Sequence, residues 1–89
     1  MPKRRRPHAS PRRVGRLERV FGQVLREIRT QQGFTQETLA FESDRDVGYI
    51  GQIERGQKSP SLNTIMSLAG ALKTSGSELL NRVETRQKR

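Results

Sequence analysis

Cysteine and tryptophan are absent from this chain of 89 residues, and histidine occurs once. Without cysteine there is no disulfide framework and no thiolate zinc site. The single His8 lies among arginines, a poor setting for a metal ion. No nucleophile–base pair or convergent carboxylates are evident. The expectation is therefore a protein that is not an enzyme and carries no metal or cofactor. No unbroken apolar stretch approaches the roughly 20 residues of a membrane-spanning helix. A secretory signal needs an apolar run of about 7–15 residues behind its charges, and none is present. The absence of cysteine suits a cytoplasmic location. Hydrophobic residues make up 30% of the chain, well under the roughly 45–50% usual once glycine is counted. Either the chain is partly disordered or its polar residues are concentrated at the ends.

What is present in excess is positive charge, a net +9. It is unevenly placed. Residues 1–16 contain Lys3, Arg4, Arg5, Arg6, Arg12, Arg13 and Arg16 without one acid. Residues 81–89 contain Arg82, Arg86, Lys88 and Arg89 against Glu84. Residues 17–80 are close to neutral. The first 16 residues also hold Pro2, Pro7 and Pro11 and few apolar groups. Such a segment cannot bury enough surface to offset the entropy of ordering it, so a disordered basic arm is expected, with a basic C-terminal tail over 81–89. An arm of this kind attracts polyanions. A solvated tail without a role and a nuclear-targeting signal are the alternatives.

The middle of the chain repeats apolar residues at helical spacing. Leu17, Val20, Phe21, Val24, Leu25 and Ile28 share one face of a helix, which Gly33 ends in the left-handed conformation. Thr35 caps a second helix that turns Leu39 and Ala40 inward. Asp46 caps a third, with Ile50 and Ile53 behind it and Gly56 at its end. Pro60 marks the start of a fourth, whose broad face includes Leu62, Ile65, Met66, Leu68, Ala69 and Leu72. Ser75 and Glu78 have capping-box spacing before Leu79, Leu80 and Val83. No strand-length segment alternates with period two, so the fold class is all-α, and these apolar residues are expected in its core. Tyr49 falls off the Ile50/Ile53 face and is a contact candidate.

Two short helices over about 35–43 and 46–55, joined by a tight turn, have helix-turn-helix spacing. Four blocks then match in order: Thr35-Gln36-Glu37-Thr38-Leu39-Ala40, Tyr49-Ile50-Gly51-Gln52-Ile53-Glu54-Arg55-Gly56, Pro60-Ser61-Leu62 and Glu78-Leu79-Leu80. Together they resemble the Cro/repressor-type helix-turn-helix family, the xenobiotic response element (XRE) regulators. The run from Thr35 to Ile50 is most like its restriction–modification controller members.

This resemblance implies a compact five-helix, lambda-repressor-like domain over residues 17–80, with the motif at about 35–55. The recognition helix would be about 46–55. It implies base-edge positions at Val47, Gly48, Gly51 and Gln52, with Asp46 and Tyr49 beside them. Gln52 is the clearest reader, because an amide pairs in a bidentate way with adenine. Gln36, at a helix N-terminus, matches a position that contacts phosphate or bases. Arg55, Lys58 and Ser59 match phosphate contacts, and Arg29 and Glu54 match a structural pair that joins two helices.

Three departures from the family pattern stand out. The turn reads Asp44-Arg45-Asp46 instead of glycine, an apolar residue and a cap. Arg45 either lays its stem over the core or reaches for a phosphate. Gly48 and Gly51 leave the recognition helix short of side chains, and Lys73, Thr74 and Gly76 thin the contact beneath the last helix. The expected function is a sequence-specific double-stranded DNA-binding transcription regulator. It would be a small homodimer on a palindromic operator, with the basic arm adding phosphate contacts. The alternatives are an antitoxin-type interaction module, whose partner protein would be a toxin or a sigma/polymerase subunit, and a tail-driven, non-specific nucleic-acid binder.

Overall fold

The computed structural model describes residues 15–88. Among them there are five helices and no strand: α1 Arg16–Gln31, α2 Gln36–Ser43, α3 Val47–Glu54, α4 Leu62–Ala71 and α5 Gly76–Gln87. Helix α1 packs on α3 and α5, α2 packs on α3 and α4, and α4 packs on α5. The shared core contains Val24 and Leu25 of α1, Leu39 of α2, Ile50 and Ile53 of α3, Leu68 of α4, Leu72 just after it, and Leu79 of α5. No helix among the described residues is long and apolar enough to cross a membrane.

Local chemistry sets most boundaries. The hydroxyl of Thr35 accepts from the Thr38 amide at 3.0 Å, Asp46 Oδ2 from the Gly48 amide at 2.9 Å, and the Ser75 hydroxyl from the Glu78 amide at 3.0 Å. Each satisfies an N–H that the helix itself leaves open. Gly33 and Gly56 adopt φ of 76° and 75° after α1 and α3, conformations that a Cβ disfavours. Two residues with side chains adopt φ of 57°: Asp44 after α2 and Lys73 after α4. These stand where the family pattern favours glycine or next to it, and the fold accepts the strain.

The helix-turn-helix is held to α1 by a close crossing. A Cβ on Gly22 would strike the carbonyl oxygens of Ile53 and Glu54, so only glycine lets α1 and the end of α3 approach this far.

Four expectations change. Helix α4 starts at Leu62 and is capped by Ser61, whose hydroxyl accepts from the Thr64 amide at 3.1 Å; Pro60 precedes the helix instead of opening it. Leu17, Leu62, Met66 and Leu80 are exposed, at 50%, 74%, 59% and 40%. The apolar stripes on α4 and α5 are wider than the core they cover. Residues 81–87 are not a tail, because α5 continues through them to Gln87, with Val83 buried. Arg86 ties this end to α1 with two hydrogen bonds to Glu27, at 2.7 and 2.6 Å. That contact pushes the Arg86 pKa above its ordinary value. Arg16 is the first residue of α1, and its Nη1 donates to the Gln87 carbonyl at 3.0 Å. The remainder of the expected arm, residues 1–14, and Arg89 lie outside the described residues.

Candidate nucleic-acid interface

The turn of the motif begins with Asp44, and the cap Asp46 then opens α3. Along α3 the residues at 50 and 53 point into the core and are fully buried. Their spacing leaves Val47, Gly48 and Gln52 on the outer side. Val47 and Gly48 are exposed and Gln52 is half-buried, with no side-chain hydrogen bond to a described residue. Lys58 and Ser59 lie exposed on the loop that follows. Val47, Gly48 and Gln52 are the outward residues of α3, and Lys58 and Ser59 follow it on an exposed loop.

A buried polar network sets the angle of that surface. Arg29 Nε donates to Glu54 Oε2 at 2.6 Å and Arg29 Nη2 to Glu54 Oε1 at 3.1 Å, while Arg29 Nη1 donates to the Phe34 carbonyl at 2.8 Å. The two side chains are 10% and 3% exposed. The pair therefore joins α1, the α1–α2 loop and the last residue of α3. Gln36 joins it as well, because its Nε2 donates to Glu54 Oε1 at 2.9 Å. The sequence pointed to Arg29 and Glu54 but not to the third member. Gln36 is half-buried, so its amide is oriented by α3 before any ligand arrives.

Other expected site residues are placed differently. Arg45 does not face outward. Its Nε donates to the Thr64 hydroxyl at 3.2 Å, Nη2 to the Ser67 hydroxyl at 3.1 Å, and Nη1 to the Ser43 and Asp44 carbonyls at 3.3 and 3.1 Å. It braces the turn against α4, with all three guanidinium nitrogens donating to protein acceptors. Tyr49 is half-buried and packs in part against the core. Gly51 is buried, because the Arg55 side chain lies across it. Asp46 is occupied as a cap. On the outer side of α2, Phe41 is 83% exposed, a feature that helical periodicity alone did not single out.

A short half-buried helix presented by a tight turn, with its N-terminus open to solvent, is a shape that enters a DNA groove. The sequence profile of the helix-turn-helix family matches residues 25–79, which span α2, α3 and α4. The chain belongs to the XRE-type helix-turn-helix family of DNA-binding transcription regulators. Control protein C.BamHI of Bacillus amyloliquefaciens is 41% identical over 63 residues, covering 70% of this chain and 78% of that protein. The crystal structure of the restriction–modification controller protein C.AhdI from Aeromonas hydrophila matches with a TM-score of 0.69 and 52% identity, covering 70% of this chain and 94% of that one. The controller protein C.Esp1396I, solved as a tetramer in complex with its natural 35-base-pair operator, matches with a TM-score of 0.76 and 26% identity, covering 82% and 96%.

Proposed function

We propose that this XRE-type regulator acts as a homodimer that reads a palindromic operator through α3. The observation that carries the reading is the outward surface of Val47, Gly48 and Gln52, fixed in angle by the Arg29–Glu54–Gln36 network. Gln52 is the adenine reader and Val47 the partner of a thymine methyl. Lys58 and Ser59 contact the flanking phosphates, and Gln36 contacts phosphate from the N-terminus of α2. Asp46 acts through its cap and Arg45 through its brace, so neither touches DNA directly. The protein works by binding in the cytoplasm, on the nucleoid, and not by catalysis.

Support for self-association comes from the exposed apolar residues of α4 and α5. Leu62 and Met66 lie four residues apart on α4, and Gly76 and Leu80 four apart on α5, so each pair shares a helix face. A Cβ on Gly76 would lie 2.7 Å from Met66 Sδ, so Met66 covers the buried start of α5, while Leu62, Met66 and Leu80 themselves stay exposed. A second copy of the chain covers these apolar residues, as in a two-fold, self-complementary contact. C.Esp1396I binds its operator as a tetramer, and two such dimers side by side would give this protein the same arrangement.

The arm supplies the missing charge. Residues 17–80 are almost neutral, whereas Lys3, Arg4, Arg5, Arg6, Arg12 and Arg13 precede α1. Basic N-terminal arms add backbone or minor-groove contacts. Selection from a random duplex pool at about 0.15 M salt, where weak surface attraction is partly screened, tests the reading. The expected product is an inverted repeat whose half-sites lie about 10–10.5 bp apart. Salt-sensitive binding without any recovered motif would overturn it in favour of tail-driven, non-specific binding.

A further inference from the structure

Helix α3 looks poor in readers, because two of its outward positions, Gly48 and Gly51, have no side chain. One of these gaps is filled from further along the helix. Arg55, four residues after Gly51, lays its guanidinium over the bare Cα. A Cβ on Gly51 would lie 3.0 Å from Arg55 Nη1, 3.7 Å from Cζ and 3.8 Å from Nη2. The guanidinium thus occupies the space that a side chain at 51 would take. Val47, Gly51 and Arg55 form one ridge at i, i+4 and i+8, and Val47 at its head is exposed. The ridge therefore belongs to the outward, groove-facing surface of α3.

The chemistry of the group fits a base better than a solvated tail. Arg55 Nε donates to Gln57 Oε1 at 3.3 Å, which restrains one edge of the guanidinium. Nη1 and Nη2 bond to no described residue. The adjacent carboxylate, Glu54, is buried and already accepts from Arg29 and Gln36. A planar fork with two free terminal donors matches the O6 and N7 acceptors that guanine presents in the major groove.

Resting on the DNA-reading role of α3 given above, we infer that Arg55 is a specificity-determining residue. It reads one guanine per half-site, and Gly51 is the platform that lets its guanidinium lie along the helix. A phosphate contact at this position is the competing assignment, and the two separate cleanly. A bidentate base contact is geometric, so lysine does not replace it. A phosphate contact is electrostatic, so lysine does.

The test repeats the duplex selection with the full chain, Arg55→Lys, Arg55→Gln and Gly51→Ala, and follows each with salt titrations of binding to the wild-type site. The wild-type motif is expected to contain one fixed guanine in each half-site that Arg55→Lys no longer selects. Discrimination at that base pair should fall by about ten-fold or more, with the other positions and the salt slope retained. Gly51→Ala adds a methyl group where Arg55 lies. Alanine is the better helix former, so thermal melting should rise while guanine discrimination falls. Retention of the full motif by Arg55→Lys would overturn this inference alone and leave the DNA-reading role of α3 intact. A uniform loss across all sequences in Arg55→Gln, with a salt slope shallower by about one, would also overturn it in favour of a phosphate contact. Failure of the wild-type chain to select any motif would overturn both readings.

Discussion

The two sides of this domain present different surfaces, polar groups fixed by hydrogen bonds on one and exposed apolar side chains on the other. On the α2–α3 side, orientation is set by directional polar contacts: the Arg29–Glu54–Gln36 network, the Asp46 cap and the four-acceptor brace of Arg45. On the α4–α5 side, Leu68, Leu72, Leu79 and Val83 are buried, the Arg86–Glu27 pair ties down the end of α5, and Leu62, Met66 and Leu80 remain exposed. The difference matches two tasks. Reading base edges needs donors fixed in angle, because a hydrogen bond weakens steeply when misaligned. Covering one apolar seam with another needs area and shape but tolerates small rotations.

The largest effect is expected where the polar side is broken at its centre. Arg29→Met removes one member of a buried pair and strands the Glu54 carboxylate. The loss should be about 3–5 kcal/mol, read as a lower urea midpoint. Breaking the apolar side should behave oppositely. In the double variant Met66→Glu/Leu80→Glu, helix content should change little, because both residues are exposed on the single chain, and the melting midpoint should lose its dependence on protein concentration. Sedimentation should show a monomer, and operator affinity should fall by roughly 10²-fold or more as the two half-sites are no longer engaged together.

The arm comes next. Deleting residues 1–14 removes six basic residues. Each phosphate contact contributes about −0.9 to the slope of log K against log salt. A full-chain slope of roughly −4 to −8 should become shallower while the selected motif stays the same; an unchanged slope would remove the arm from the account. The smallest effect is local. Asp46→Ala loses the cap on α3, at about 1 kcal/mol, and should lower stability and operator affinity together.

Much of the fold was legible in the sequence because its signals are local. Thr35, Asp46 and Ser75 announce helix starts, and Gly33 and Gly56 announce ends. The spacing of Val20, Val24, Leu25 and Ile28 identifies the buried face of α1. Periodicity says which way a face points but not how wide the opposing core is, so Leu62 and Met66 read as interior. The end of α5 was hidden by its charge. Arg82, Arg86 and Lys88 resemble a solvated tail, although Val83 keeps helical spacing with Leu79, and Glu78 and Arg82 stand at i and i+4. In the site, the resemblance paired Arg29 with Glu54, as the hydrogen bonds between them show. It did not show that Gln36 joins that pair or that Arg45 braces the turn on Thr64 and Ser67, since long polar side chains choose among acceptors that only the tertiary structure brings together. The cover over Gly51 was equally hidden, because a glycine in a sequence does not say which neighbour fills its gap.

The most direct test of the division between the two sides is amide chemical-shift mapping of the full chain, titrated with its selected duplex. Large shifts in residues 46–59, the start of α2 and the basic residues of 1–14, with Leu62, Met66 and Leu80 unmoved, are the predicted result. Shifts concentrated on the face of α4 and α5, or only on residues 1–14, would contradict it.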